Sequence, residues 1–225
     1  MTVGISYEAD ATGIAEGNVC RKNKQVGIGV AGDASPTLLR NTCESSEIRG
    51  ISYVGDATGT AEGNVCRDNK LGIGVLGNAS PTLLRNTCES NVGGISFVDN
   101  ATGTAEGNVC SENQMGFLVG KNASPTLLRN ICENNERSGI SYSGNATGTA
   151  EGNVCRENRT VGIFVFEHAA PNLLRNTCEY NEYSGIHYQG DATGTAEVNV
   201  CRENAQGGIT ILENATPYLI NNIEE

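Results

Sequence analysis

Tryptophan is absent from this chain of 225 residues, and only five prolines accompany its 29 glycines, so neither a collagen-like triple helix nor a proline-rich disordered segment fits. Basic side chains are scarce: 15 Lys and Arg against 26 Asp and Glu give a net charge of −11 and a pI near 4.7. Nucleic acid and anionic membrane surfaces both need clustered Lys and Arg, and are excluded as partners. No apolar run approaches the ~20 residues of a membrane span. No signal segment is seen either, because Met1-Thr2-Val3 leads straight into the body of the chain, which leaves the compartment open. Two histidines and nine cysteines without a CxxC pair argue against a zinc site, and no metal or other cofactor is expected. A helical period is missing throughout, since turn residues recur too often for one.

What is present is a repeat. Written in register, ten copies open at Gly4, Gly27, Gly50, Gly72, Gly94, Gly116, Gly139, Gly162, Gly185 and Gly208, at a step of 22 or 23 residues. In the first nine copies the distance from this Gly to a Cys is constant, so every insertion falls after the Cys. A block that refuses insertions followed by one that accepts them reads as stacked strands closed by a surface loop. Each copy holds three strand-like pieces, as in Gly50–Val54, Thr58–Glu62 and Val65–Arg67, separated by turn residues. One coil per copy makes an all-β parallel solenoid of ten coils, roughly 48 Å long at ~4.8 Å per coil. We expect one domain over residues 1–225. The abrupt ends suggest a segment of a longer protein, although a short natural chain fits as well.

Two columns trade volume across the interior. Tyr7, Tyr53, Phe97, Tyr142 and Tyr188 occur in coils that carry Ala15, Ala61, Ala105, Ala150 and Ala196. Val30, Val75, Val119, Val165 and Ile211 occur with Leu38, Leu83, Leu127, Leu173 and Leu219. Such compensation requires the columns to face each other, and it makes the true period a pair of coils. The nine cysteines, Cys20 to Cys201, fall once per coil at one inward position and are expected to be reduced and buried. Asparagines recur at Asn18, Asn41, Asn64 and onward to Asn222, and again from Asn23 to Asn204 with Ser46 as the exception; stacked amides would satisfy the backbone of a tight corner. Ala11 and its nine equivalents leave no room at the first corner. The opening Gly is expected to supply a backbone angle other residues resist. After the Cys the charge alternates through Arg21, Glu44, Arg67 and Glu89, which favours this register over a one-coil slip.

The alternation of Pro-Thr-Leu-Leu-Arg-Asn coils (Pro36–Asn41, Pro81–Asn86, Pro125–Asn130) with Gly-Thr-Ala-Glu-Gly-Asn coils (Gly59–Asn64, Gly103–Asn108, Gly148–Asn153) resembles a known repeat. It is similar to the right-handed parallel β-helix repeats of carbohydrate-binding proteins and sugar hydrolases, the pectin-lyase-like superfold. Similar paired coils occur in the β-helix part of an F-box protein and in many bacterial repeat proteins. The resemblance implies the right hand of the coil, and it implies that chemistry, where present, sits on the outer face of the first strand. That face offers one carboxylate, Glu8, and one histidine, His187, many coils apart, and lacks the epimerase-type Asp-Pro-His-Asp signature. Glycoside hydrolysis needs two carboxyls within ~5–10 Å, so no catalytic residues are assigned and the chain is not expected to be an enzyme.

Three further features bear on function. Asp10, Asp33, Asp56 and Asp191 share the first corner with Asn78, Asn100, Asn122, Asn145 and Asn214; stacked carboxylates could hold Ca²⁺, but turn chemistry explains the mixture better. Coil eight departs most from the repeat, with Phe164 and Phe166 facing outward, Glu167 replacing Gly and His168 replacing Asn or Asp. Tyr180 and Tyr183 follow in its closing loop, and His187 in coil nine. These are the candidate ligand or interface residues, and repeat drift accounts for them equally well. Finally, Thr58, Thr60, Thr82, Thr102, Thr104, Thr126, Thr147 and Thr149 form two hydroxyl columns similar to the Thr-x-Thr surface of antifreeze solenoids, with Glu62 and Glu106 beside them. The expected function is a non-catalytic scaffold or recognition module for a polysaccharide or protein, with ice binding and a part of a polysaccharide-acting enzyme as alternatives. Uncapped ends and the coil-eight aromatics also lead us to expect a weak homodimer.

Overall fold

The computed structural model describes residues 2–225; Met1, part of the stretch expected to lead straight into the first coil, lies outside the described residues. Ten coils each give one strand to three parallel ten-stranded sheets, and every strand pairs with its equivalents one coil before and after. The register is the one the repeat demands: Ile28 pairs with Ile51, Leu38 with Ala61, and Cys43 with Cys66. A typical coil runs Arg49–Gly55 in the first sheet, Thr60–Glu62 in the second and Val65–Arg67 in the third.

The interior is a stack of single-residue columns. Tyr53, Phe97, Tyr142 and Tyr188 alternate with Val30, Val75, Val119 and Val165, and all are buried, as are the Ala and Leu residues that compensate them. Phe97 shows that the aromatic ring is what this column needs, because the Tyr53, Tyr142 and Tyr188 hydroxyls find no hydrogen-bond partner. The nine cysteines are free and buried, and burial among neighbouring thiols pushes Cys132, Cys155 and Cys178 up. The corner alanines from Ala34 to Ala215 are buried as well.

Between the second and third strands runs an unbroken asparagine ladder. From Asn18 to Asn222, each backbone N–H and each side-chain amide donates to the Oδ1 of the next coil's asparagine at 2.9–3.0 Å. The amide also donates to a carbonyl of the preceding coil, as Asn108 does to Leu83 O at 3.0 Å. These bonds satisfy the backbone of a corner that has no room for water. A second ladder follows the third strand, and Ser46 interrupts it: Ser46 N–H donates to Asn69 Oδ1, but Asn23 Nδ2 and Ser46 Oγ are left without partners. A third, exposed ladder occupies the first corner, where Asn100 donates to Asn78 and Asn78 to Asp56. Turn chemistry thus accounts for the acidic corner column.

Charge contributes two ladders. The expected one pairs Arg67 with Glu44, Arg156 with Glu133 and Arg202 with Glu179 on the third sheet. The other, on the second sheet, joins each Arg of a Leu-bearing coil to the Glu of the coil before it: Arg40 to Glu16, Arg85 to Glu62, Arg129 to Glu106 and Arg175 to Glu151.

Two expectations are corrected. The opening glycines do not hold positive φ; an added Cβ at Gly94 would sit 2.5 Å from Gly116 O and 2.9 Å from Cys110 Sγ. Glycine is there for space, so that the first sheet can close on the cysteine column. The second strand begins at Thr60 rather than Thr58, because Gly59 turns the chain at φ 97°. Thr58, Thr102 and Thr147 therefore lie in the corner, off the sheet that carries Thr60, Thr82, Thr104, Thr126 and Thr149. The alternation that would set both hydroxyl columns on one plane is broken at that glycine.

Candidate functional site

The outer face of the first sheet is concave between coils five and nine. Successive coils place Ser96, Leu118, Ser141, Phe164 and His187 in one column, in register through the ladder. The loops that return from the third strand raise Arg137, Thr160 and Tyr183 along one side, and the strand ends carry Val98, Ser143, Phe166 and Gln189 along the other. Together they enclose a groove of about 590 Å³. The variable loop is what builds the wall: the insertion that lengthens coils six, seven and eight supplies Arg137, Thr160 and Tyr183.

Its floor is part aromatic and part hydroxyl. Phe164 and Phe166 stack with ring centroids 4.6 Å apart, and His187 meets Phe164 edge-on at 5.3 Å. Burial lowers the His187 pKa below its usual 6.5, with Glu213 opposing the shift, so the imidazole is neutral at pH 7. Ser138 and Ser141 share a 2.6 Å hydrogen bond, and both are buried although they face the groove. Gln189 donates to Glu213 Oε1 at 2.8 Å at the coil-ten end. No carboxylate lines the groove among the described residues; its charged and titratable side chains are Arg137, His187 and Tyr183.

Four of the six coil-eight candidates thus converge: Phe164, Phe166, Tyr183 and His187. His168 does not join them; it lies at the first corner, with Nδ1 3.5 Å from Asp191. Tyr180 holds a left-handed turn at φ 56° and stays outside the groove. Glu167 also belongs to the corner, where its carboxylate accepts the Gly144 N–H. Arg137, Ser138, Ser141, Thr160, Leu118 and Met115 were missed; the place of the insertions after the Cys pointed to the loops of Arg137, Ser138 and Thr160, whereas Met115, Leu118 and Ser141 stand in first-sheet strands.

A family model described as a right handed beta helix region matches residues 1–130 and 72–223. Among solved structures, a double mutant of the periplasmic alginate epimerase AlgG is similar at 15% identity and a TM-score of 0.70, over 87% of this chain and 62% of that one. The A-module of an Azotobacter vinelandii mannuronan C-5 epimerase is similar at 14% identity and a TM-score of 0.68, over 97% and 76%. The chain thus spans less than two thirds of the first of these structures. At such identities the likeness is one of fold. No curated protein matches in sequence.

Proposed function

The chain belongs to the right-handed β-helix family, and from that premise we propose that it recognises a carbohydrate chain in the groove of its first sheet and performs no chemistry on it. The observation that carries the reading is the makeup of the groove. A pyranose ring has a face of C–H groups and a rim of hydroxyls. Phe164 and Phe166 offer an apolar platform for the face, while Ser143, Thr160, Tyr183, Gln189 and a neutral His187 offer groups for the rim. The groove follows the stacking axis over five coils, about 19 Å between the first and last, which suits an extended polymer.

Both similar solved structures named above are epimerases of alginate or mannuronan. Catalysis on such a chain needs positioned acid and base groups. The lining supplies one histidine and one tyrosine as such groups, and the one carboxylate near them, Glu213, stands outside the lining with Gln189 donating to it, which favours binding over turnover. The same groove weighs against the coil-eight aromatics as a flat dimer contact, since they lie in a concavity rather than on a raised patch.

Calorimetric titration with a panel of neutral gluco-oligosaccharides and hexuronate oligosaccharides tests the proposal. Wild type should bind at least one of them, and Phe164→Ser with Phe166→Ser should weaken that binding by tenfold or more. An unchanged affinity in the double variant would remove the platform from the account.

A further inference from the structure

Fifteen Lys and Arg side chains are present, and nine of them are in ion pairs. The other six are Lys22, Lys24, Arg49, Lys70, Arg137 and Arg159, and all lie where the third strand returns to the first, along one side of the first-sheet face. In an acidic protein this is a segregation among the described residues: cations elsewhere are paired, and three of these six, Arg49, Lys70 and Arg137, line the concavities of that face. Arg49 differs from the other five in being half-buried, whereas they are exposed.

The groove continues past coil five into a notch of about 260 Å³, with which it shares Ser96, Met115 and Leu118. Arg49 and Lys70 line this notch, and no carboxylate does among the described residues. Two glycines make room for it. A Cβ at Gly74 would fall 2.8 Å from Arg49 Cδ and Nε, so the arginine lies flat across a position where every other coil but the second, with Gly29, carries a side chain. A Cβ at Gly93 would fall 2.9 Å from Leu71 and 3.0 Å from Leu118, closing the passage between them. The guanidinium donates no hydrogen bond among the described residues, and its Nε is fully buried without a partner. Ser52, the ladder partner of Gly74, is 3% exposed, and its Oγ is also unpartnered. Nε and the Ser52 hydroxyl lie beneath the surface, whereas the two terminal guanidinium nitrogens are neither hydrogen-bonded nor fully buried among the described residues, and these are the donors the notch leaves open to a ligand.

We propose that this notch is an oxyanion subsite, in which Arg49, assisted by Lys70, takes the carboxylate or sulfate ester of an acidic sugar unit whose neighbours lie along the groove toward Phe164. The sugar part rests on the function proposed above; the oxyanion part rests on Arg49 alone. The planar fork of an arginine held flat by its stem suits a two-oxygen acceptor, and Lys70 adds a point charge at the rim. The groove then differs between its ends, cationic where the loops of coils two and three return to the first sheet and aromatic at coils eight and nine.

The test compares a hexuronate oligosaccharide with its methyl ester, which removes the charge and keeps the chain. Wild type should bind the acid form at least tenfold more tightly at low salt, and Arg49→Met, which keeps the stem over Gly74, should abolish that difference while leaving the ester's affinity unchanged. Phe164→Ser should weaken both forms. A preference for the acid that survives in Arg49→Met overturns the subsite. If wild type binds neither form, the carbohydrate reading fails, and titration with inorganic sulfate decides the subsite by itself. A saturable shift of the Arg49 Nε–H resonance, absent from Arg49→Met, supports it, and no shift overturns it.

Discussion

Val198 holds φ at 55°, a left-handed angle that a β-branched side chain resists. The coil-to-coil equivalents explain why it is there and what it costs. At the corner before each ladder asparagine, Gly17, Gly63, Gly107 and Gly152 take the same angle in one coil type, and Arg40, Arg85, Arg129 and Arg175 take it in the other. Each arginine leans back to the preceding coil's glutamate, and the stems of Arg40, Arg85 and Arg129 cover the next coil's glycine, 3.5 Å from where a Cβ would stand at Gly107. Val198 sits in a glycine coil and gains no such ion pair. A left-handed angle costs a non-glycine residue about 1–2 kcal/mol, partly offset in a glycine by about 0.5–1 kcal/mol of extra chain entropy. Val198→Gly should therefore stabilise the protein by about 1 kcal/mol, read as a higher urea midpoint at unchanged slope. A lower midpoint would show that the valine methyls, rather than the backbone, decide this corner.

The ladders are the elements that fix the stacking, and their one gap is a natural test of their strength. Ser46 leaves Asn23 Nδ2 buried with no acceptor, and its own hydroxyl is unpaired. Ser46→Asn restores what Asn69 shows one coil on, where the amide donates to Cys43 O and to Asn91 Oδ1. Repairing one buried unsatisfied group should raise stability by about 1–3 kcal/mol, measured by equilibrium unfolding against wild type, and a neutral or destabilised variant would contradict the ladder's role. Much of this level was legible in the sequence. Asparagine columns, the cysteine column and the trade of Tyr for Ala against Val for Leu are periodic, and periodicity survives without coordinates. What was not legible was the cause behind a constant residue. Glycine in every coil suggested a backbone angle, but the structure gives the reason as contact with the cysteine column, and a letter cannot distinguish a forbidden φ from a forbidden Cβ. The Thr58 hydroxyl was misplaced likewise, because a glycine turn at 59 reads as part of a strand in a repeat so rich in threonine.

At the scale of the whole molecule, three uniform sheets carry one non-uniform face. The second and third sheets are edged by ion pairs, which are worth only a few tenths of a kcal/mol each and serve register. The first sheet departs from uniformity: the aromatic platform and the buried serines lie where its loops lengthen, and Arg49 lines the notch that continues the same groove. The sequence marked the aromatic end, since Phe164, Phe166, Tyr183 and His187 break the repeat conspicuously. It hid the cationic end, because Lys70 sits in a loop that varies in every coil and Arg49 only heads the strand that follows one, and their lack of partners is a property of the folded chain only. The central claim is that a sugar chain is held here unchanged. Proton NMR of the oligosaccharide panel with substoichiometric protein over a day tests both halves of it at once. Ligand resonances should broaden with wild type and stay sharp with the Phe164→Ser and Phe166→Ser double variant, and anomeric signals should stay constant throughout. New anomeric or reducing-end signals with wild type, or no broadening with any member of the panel, would contradict it.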